Sequence, residues 1–452
     1  MKVLGKRVLV VGLARSGIGA ARLLAQRGAL VTVNDSKSRE ALGEALQPLE
    51  GLKLTWALGR PAAEVLDGQE LLVISPGIPD KAPFVVEAKN RGIPVIGELE
   101  LGWALCPGET VAVTGTNGKT TTVSLLGMIF AEAGRGGATV GNIGYPFSEE
   151  ALTATADETQ VCECSSFQME TIERFRPRAA ALLNITEDHL NRHGTMAEYT
   201  RLKMRMFENQ TAQDYAIFNA DDPALEGLEK QVRARVLFFS RKREVEAGAC
   251  VSGGRVVFRL DGAEMDICAP EEIFIPGPHN LENALAAVCA AAAMGVEPDL
   301  IGRCLREFRG VEHRIEWTRE KDGVIWYNDS KGTNVDSTIR AVQTMTRPTV
   351  IILGGSDKHA DFTPLAEAML ASGMIREAVL IGVTADQIER TLREKGFNSI
   401  HREASMADAV KRCEKLSGEG WNVLLSPACA SFDMFTDYEQ RGRIFKELVQ
   451  AL

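Results

Sequence analysis

Residues 110–122 read TVAVTGTNGKTTT and run on into VSLLGMIFAEAG, residues 123–134. Thr110 to Val113 predicts a short buried strand. Gly115, Asn117 and Gly118 then make a turn that ends on Lys119 and Thr120. The apolar spacing of Val123, Leu126, Ile129 or Phe130, and Ala133 predicts a helix behind it, stopped by Gly134. A strand, a glycine turn and a helix in this order make a phosphate loop. Backbone N–H groups converge on a polyphosphate at the positive end of the helix, Lys119 supplies a point charge for the β and γ phosphates, and a hydroxyl of Thr120 or Thr121 reaches a magnesium ion. Val113 stands where the usual pattern has its first glycine, so the competing reading is an ordinary glycine turn before a helix.

The chain has 452 residues, too many for one core, and a prior of about 150 residues per domain suggests roughly three. A hydrophobic fraction of 45% and a charged fraction of 25% are those of a water-soluble globular protein. The net charge of −10 argues against nucleic acid or an anionic membrane as partner. No signal peptide opens the chain and no apolar run reaches about 18 residues, which predicts a cytoplasmic protein with no membrane span. The cysteines number 9, are scattered, and include one Cys-x-Cys at 162 and 164 without a second pair at zinc spacing; they read as buried thiols of a reducing compartment.

Upstream of the phosphate loop, residues 1–98 predict a first Rossmann-like domain. A buried strand at Arg7 to Val11 leads into GLARSGIG (12–19), a helix that ends at Gly28, and a second strand at Val31 to Asn34 with Asp35 at its tip, where a ribose hydroxyl would lie. Ala14 replaces the second glycine of the dinucleotide fingerprint, which favours another nucleotide or a sugar nucleotide over NAD. Leu71 to Ile74 followed by SPGIP (75–79) is a further strand with a glycine turn at the same sheet edge. The linker to the next domain is expected at 97–108.

Residues 99–308 predict a central ATP-binding domain with a mostly parallel sheet. After the phosphate loop come GNIG (141–144), a strand at Gln160 to Cys164 carrying Glu163, and an apolar strand at Ala179 to Ile185 that runs into TEDHLNRHG with Glu187, Asp188 and His189. Carboxylate, histidine and loop hydroxyls brought to one edge suit a magnesium and γ-phosphate site. Helix capping by Thr186 or Asp188, and Glu163 as a solvated strand end, are the alternatives. Residues 201–208 predict a helix on which Lys203, read alone, is a surface residue. GACVSGGRVVFRLDGAEMDI (248–267) reads as a hairpin. Asn283, one turn into the alanine-rich helix that follows His279 and Asn280, is either a cap or a nucleotide contact. Residues 309–452 alternate strands (Val324 to Tyr327, Thr349 to Leu353, Ala378 to Ile381, Val423 to Leu425) with helices, predicting a second Rossmann-like domain, and His313 and Arg314 stand at its start, where they can reach back toward a cleft.

TGTNGKTT, ECSSFQME, NITEDHLNRHG, GPHNLENALAA, EHRIE, NDSKGTN, LGGSDK and SPACASFDMF occur in this order over essentially the whole chain, and together they resemble the Mur ligases. Within that family the chain looks most like the branch that adds D-glutamate to UDP-N-acetylmuramoyl-L-alanine. The resemblance implies three α/β domains, ATP and Mg2+, the two small-molecule substrates as partners, and a monomer. The nucleotide set it implies is Gly115, Thr116, Asn117, Gly118, Lys119, Thr120, Thr121, Asn283, Arg314 and Asp329. Thr120 and Glu163 would hold one magnesium; His189 and a carbamylated Lys203 would hold another, which replaces the surface reading of Lys203. Lys119, Glu163, His189, Lys203 and Arg314 form the implied catalytic group. Ser16, Asp35, Ser36, Lys37, Gly77 and Asn142 would bind the UDP-linked substrate, and Arg15 stands where a smaller or apolar residue is expected. Lys331, Thr333, Lys358, Ser431 and Tyr438 would bind D-glutamate in the third domain. The rival readings are a sibling Mur ligase, a folylpolyglutamate synthase-like amide ligase, an NAD-dependent oxidoreductase using GLARSGIG, and a phosphate-loop switch without ligase chemistry.

Overall fold

A computed structural model describes residues 1–188, 190–356 and 360–452, without the side chain of residue 191. Among these residues the chain forms three sheets. The first contains β1 (Arg7–Val11), β2 (Leu30–Asp35), β3 (Leu54–Leu58), β4 (Leu71–Ile74) and β5 (Val95–Gly97), all parallel, in the order β3-β2-β1-β4-β5. Order reverses at β1 and β4, so GLARSGIG after β1 and SPGIP after β4 meet at the switch point where open α/β sheets collect ligands.

The second sheet carries the phosphate loop. Its strands are β6 (Glu109–Thr114), β7 (Gly136–Gly141), β8 (Thr159–Glu163), β9 (Ala179–Leu182), β10 (Tyr215–Asn219), β11 (Arg235–Ser240), β12 (Gly248–Ser252), β13 (Arg255–Leu260) and β14 (Ala263–Cys268). They lie in the order β14-β13-β12-β11-β10-β9-β6-β8-β7, parallel from β7 to β12 and antiparallel in the β12–β14 meander. β6 sits between β8 and β9. Val111, Ala112 and Val113 are fully buried because helices cover both faces, which is why the strand reads as a continuous apolar run without alternation.

These two sheets form one compact unit, Met1–Ile273 with His279–Glu307. The stretch expected as a linker is instead β5 and a helix, Glu98–Leu105, whose Leu99 and Leu101 are buried at about 1.5–3 kcal/mol each. Its two buried carboxylates explain the difference. Glu98 accepts from the N–H and hydroxyl of Ser148 at 2.7 and 2.6 Å, and Glu100 accepts from the backbone N–H groups of Glu173, Arg174 and Phe175. These two acids fasten the helix to the central sheet's loops. The Arg15–Gln26 helix also approaches the Phe147–Glu150 helix so closely that a Cβ on Gly19 would meet Ser148 Oγ at 2.7 Å.

The second compact unit is Phe274–Pro278 with Phe308–Leu452. Its sheet contains β15 (Glu316–Lys321), β16 (Val324–Asn328), β17 (Thr349–Leu353), β18 (Ile375–Leu380), β19 (Ile400–Arg402) and β20 (Asn422–Leu425), in the order β15-β16-β20-β17-β18-β19, parallel except for β15. In both units the expected strands are found with ends shifted by a few residues: β9 stops at Leu182, and the helix expected at 201–208 is Met196–Met204 followed by a 3-10 turn.

Candidate functional site

The phosphate loop is held in shape before any ligand is considered. Gly118 has φ +84°, and a Cβ there would lie 2.2 Å from Asn283 Oδ1, so only glycine fits; Gly115 has φ +151°. Asn117 and Asn184 bond reciprocally, with the Asn117 N–H donating to Asn184 Oδ1 at 2.8 Å and Asn184 Nδ2 to the Asn117 carbonyl at 3.1 Å. Thr116 Oγ1 donates to the Thr186 carbonyl at 3.1 Å, accepts from the Thr186 N–H at 3.0 Å and lies 3.2 Å from the Tyr199 hydroxyl. The segment after β9 is thus a cradle for the loop. Asn283 is buried beside Gly118 and donates to Asn280 Oδ1 at 3.2 Å, and it lies inside the Pro278–Ala293 helix, past the capping position.

Lys119 opens the Lys119–Glu132 helix, and its ammonium donates to the carbonyls of Gly115 and Thr116, both at 2.7 Å. Thr120 Oγ1 donates to Glu163 Oε2 at 2.9 Å, while Asn142 Nδ2 donates to Glu163 Oε1 at 2.8 Å and the Asn142 N–H to the Glu163 carbonyl at 2.9 Å. Glu163 is 2% exposed, which overturns the solvated strand-end reading. Its carboxylate joins Thr120 of the phosphate loop to Asn142 of GNIG. Thr121, one place on, is half-buried.

Lys203 is also 2% exposed, so the surface reading of the residue taken alone is wrong. The Met196–Met204 helix turns it inward, its Nζ donates to the Gly115 carbonyl at 2.8 Å, and it lies 4.5 Å from the Tyr199 ring centroid. Burial drives its pKa well below the ordinary lysine value, with the charge of Lys119 pushing the same way. His189 lies outside the described residues.

In the first sheet, Asp35 accepts from the N–H of Leu13 at 2.8 Å and that of Lys37 at 2.9 Å, so it shapes the GLARSG turn from the tip of β2. Ser75 Oγ donates to the Gly12 carbonyl at 2.8 Å and locks the two turns together. Ser16 lies in the first turn of the Arg15–Gln26 helix, and Ser36, Lys37 and Gly77 are exposed around the same edge. Arg192 Nη1 reaches the Gly77 carbonyl at 3.5 Å while its guanidinium pairs with Glu170 at 2.6 Å.

The second unit contributes its own cluster. Asp329 accepts from Ser426 Oγ at 2.6 Å and from the Ile315 N–H at 3.2 Å, and burial pushes its carboxyl up to about 7. Arg314 is exposed between His313 and Ile315, both at positive φ (+66° and +43°). Lys331 Nζ lies 5.4 Å from the Tyr438 ring, whose hydroxyl donates to Glu439 at 3.2 Å; the Thr333 N–H donates to the Lys331 carbonyl at 2.8 Å, and Ser431 is buried. Lys358 lies outside the described residues.

Sequence reasoning missed the residue that ties this cluster together. Arg441 is fully buried and donates to Ser330 Oγ and carbonyl at 3.0 and 2.8 Å, and to the Cys429 and Ala430 carbonyls at 3.1 and 3.3 Å. It bonds the Asp329–Thr333 loop to the Cys429–Ser431 loop. Its spacing from Phe445 and Val449, each four residues on along a buried helix stripe, was the available signal.

Profiles of three domain families match in chain order: the Mur ligase MurD-like N-terminal domain at 6–97, the Mur ligase middle domain at 113–291 and the Mur ligase glutamate ligase domain at 313–429. Two bacterial relatives each carry the name UDP-N-acetylmuramoylalanine–D-glutamate ligase. The one from Alkaliphilus oremlandii is 44% identical over all of both chains, and the one from Koribacter versatilis is 46% identical over all of this chain and 99% of its own. Among solved structures, MurF ligase from Thermotoga maritima in complex with ADP superposes with TM-score 0.58 at 17% identity, covering 100% of this chain and 97% of its own. The pseudomurein peptide ligase type C from Methanothermus fervidus gives TM-score 0.58 at 18% identity over 99% and 100%. At these identities the structures speak for the fold. No helix among the described residues is long and apolar enough to cross a membrane.

Proposed function

The chain belongs to the Mur ligase family, and from that premise we propose that it is the ATP-dependent ligase joining D-glutamate to UDP-N-acetylmuramoyl-L-alanine in cytoplasmic peptidoglycan precursor synthesis, working as a monomer. The observation that carries the proposal is full-length identity of 44–46% to relatives of that name. The convergence of Lys119, Thr120, Glu163 and Lys203 on one phosphate loop fits it.

The chemistry has two displacements. A carboxylate oxygen of the precursor's alanine attacks the γ-phosphorus of ATP, the bond to the β-bridging oxygen breaks, and ADP leaves behind an acyl phosphate. The D-glutamate nitrogen then attacks the acyl carbon, phosphate leaves, and the amine gives up its proton. In the first step the protein's task is to hold attacking and leaving oxygens in line and to meet the charge on the equatorial oxygens. Lys119 meets that charge at the β and γ phosphates, with the N–H groups that open the Lys119–Glu132 helix beside it. Asn283, packed beside Gly118, is a further contact for the nucleotide. Asp329 holds the Arg314 segment through the Ile315 N–H.

The donor set suits magnesium: Thr120 Oγ1 and a Glu163 carboxylate oxygen already meet at 2.9 Å, and hard cations take such oxygens. Thr120 and Glu163 would hold one ion, His189 and Lys203 another, and bound magnesium would supply further neutralisation of the phosphate oxygens. For Lys203 to serve, its amine must carry a carboxylate. Burial that lowers the lysine's pKa favours the neutral amine, the form that attacks carbon dioxide: the N–C bond forms, one proton leaves, and a carbamate anion results.

In the first domain Ser16, Asp35, Ser36, Lys37 and Gly77 take the uridine diphosphate, and Asn142 the muramoyl end. In the third, Lys331 and Lys358 meet the two carboxylates of D-glutamate, with Thr333, Ser431 and Tyr438 as neutral donors. A binding and turnover test separates this reading from its rivals. The protein should bind ATP and not NAD, and its phosphate release should require both the precursor and an amino acid. NAD binding, or hydrolysis indifferent to the amino acid, would replace the proposal with an oxidoreductase or a simple switch.

A further inference from the structure

We propose that Lys446 is a positioning residue for the D-glutamate site: acting through Glu316 and His313, it fixes where Lys331 and Tyr438 stand. This deepens the reading of that site and rests on it. His313 is the hub. Its carbonyl accepts from the Lys331 N–H at 3.0 Å, and its ring meets the Tyr438 ring edge-on with centroids 6.1 Å apart. A shift of this one residue therefore moves two of the groups assigned to the amino acid. His313 is buried and gripped on several sides. Its N–H donates to Glu316 Oε2 at 2.9 Å, and Asn328 Nδ2 lies 2.9 Å from both the His313 Nδ1 and that same carboxylate oxygen. A Cβ on Gly442 would lie 2.2 Å from Nδ1, so the glycine makes room for the ring. Tyr438, Gly442 and Lys446 stand four apart on the Tyr438–Ala451 helix and share one face of it.

The backbone at His313 needs such a grip. His313 and Ile315 have φ of +66° and +43°, a region that a β-branched residue rarely adopts and that persists only where surrounding contacts over-determine it. Glu316 supplies one of those contacts, and Lys446 holds Glu316. The lysine ammonium donates to Glu316 Oε1 at 2.9 Å and to Glu312 Oε1 at 2.6 Å. Glu312, His313 and Glu316 each bring an atom within 4.8 Å of one another, a spacing that suits a cation, and the lysine is that cation. Without it two like charges face each other, and Glu316 loses the bond that aims its second oxygen at His313. An exposed ion pair is ordinarily worth little. This one is different: the side chains of Lys446 and Glu316 are only 25% and 17% exposed, and the pair ends on a strained peptide that carries the site. Lys446, Glu316, His313 and Lys331 form one bonded path inside the second unit.

The test uses the full chain and follows the KM for each of the three substrates. Lys446→Met should raise the KM for D-glutamate about tenfold, with those for ATP and the UDP-linked precursor within about twofold, since a displaced site weakens only its own ligand. Lys446→Arg keeps the charge and should recover most of that loss. Glu316→Gln keeps the shape and should raise the same KM, which decides the matter if Lys446→Met does not fold. Lys321→Met breaks a comparable ion pair of the same unit, with Glu414 at 2.6 Å, and should leave every KM unchanged. In a Lys331→Ala background, Lys446→Met should raise the D-glutamate KM less than it does in wild type, because part of its effect passes through Lys331. An equal rise for all three substrates, an arginine variant as poor as methionine, or full additivity with Lys331→Ala would overturn the inference. So would an unchanged D-glutamate KM in Lys446→Met and Glu316→Gln beside a raised one in Lys331→Ala, and that result leaves the reading of the site standing. An unchanged KM in Lys331→Ala itself would sink that reading and the inference with it.

Discussion

Lys119 and Lys203 point their amines at the same acceptor, the Gly115 carbonyl oxygen, from 2.7 and 2.8 Å. Two ammonium ions crowding one carbonyl repel each other, and burial removes the water that would screen them. Lys203 is the buried partner, and its own burial first, then the charge of Lys119, drives its pKa well below the usual value. Both amines are placed by the glycine turn they flank, and the lowered pKa favours the neutral form of Lys203.

Replacing Lys119 by alanine should leave a folded protein with less than about a thousandth of the activity, since a clamp on a transferring phosphoryl group is worth several kcal/mol. Turnover with saturating substrates checks it, with a melting curve as control. Near-normal turnover would remove the loop from the mechanism.

Lys203→Ala should be nearly inactive and should regain part of its activity in acetate or formate, which supply the missing carboxylate. Wild-type activity should also fall in buffers stripped of carbon dioxide and return with bicarbonate. Indifference to both additions would mean that the lysine acts unmodified.

Gly118→Ala should weaken ATP binding by about tenfold or more: the left-handed φ costs about 1–2 kcal/mol for a residue with a Cβ, and that Cβ would lie 2.2 Å from Asn283 Oδ1. Asn283→Ala opens the space but loses its own contacts. The double variant should therefore bind ATP better than the sum of the two single losses requires, a coupling that titration of all four proteins measures.

Asp329 gives a pH dependence with a definite sign. Its carboxyl titrates near 3.8 unfolded and about 7 folded, so between those values the native state holds a proton that the unfolded state has lost. Stability therefore falls as pH rises through that window and levels above about 7, by at most about 4 kcal/mol. Asp329→Asn should flatten this slope, gaining stability relative to wild type between pH 5 and 7 in denaturant titrations. Parallel curves would contradict it.

The phosphate loop, the alternating α/β order and both Rossmann-like sheets were legible because parallel strands buried on two faces leave long apolar runs and glycine turns mark their ends. The buried polar residues were not. Glu98 and Glu100 look like the start of a solvated linker until Ser148 and the 173–175 backbone supply their donors, and Lys203 looks like surface until the turn of its helix is known. Arg441 escaped notice because its partners are carbonyls, which carry no signature in sequence. Pairing across dozens of positions decides such cases, and local pattern does not encode it.

The central claim is substrate choice, and incorporation of labelled amino acid into UDP-N-acetylmuramoyl-L-alanine in the presence of ATP tests it most directly. With D-glutamate the wild-type protein should form one amide product and one ADP per turnover, while L-glutamate, L-alanine, L-lysine and diaminopimelate give little. Lys331→Ala should raise the KM for D-glutamate with that for ATP nearly unchanged. Preferential incorporation of any other of these amino acids would make the chain a sibling ligase and contradict the assignment of its third-domain site.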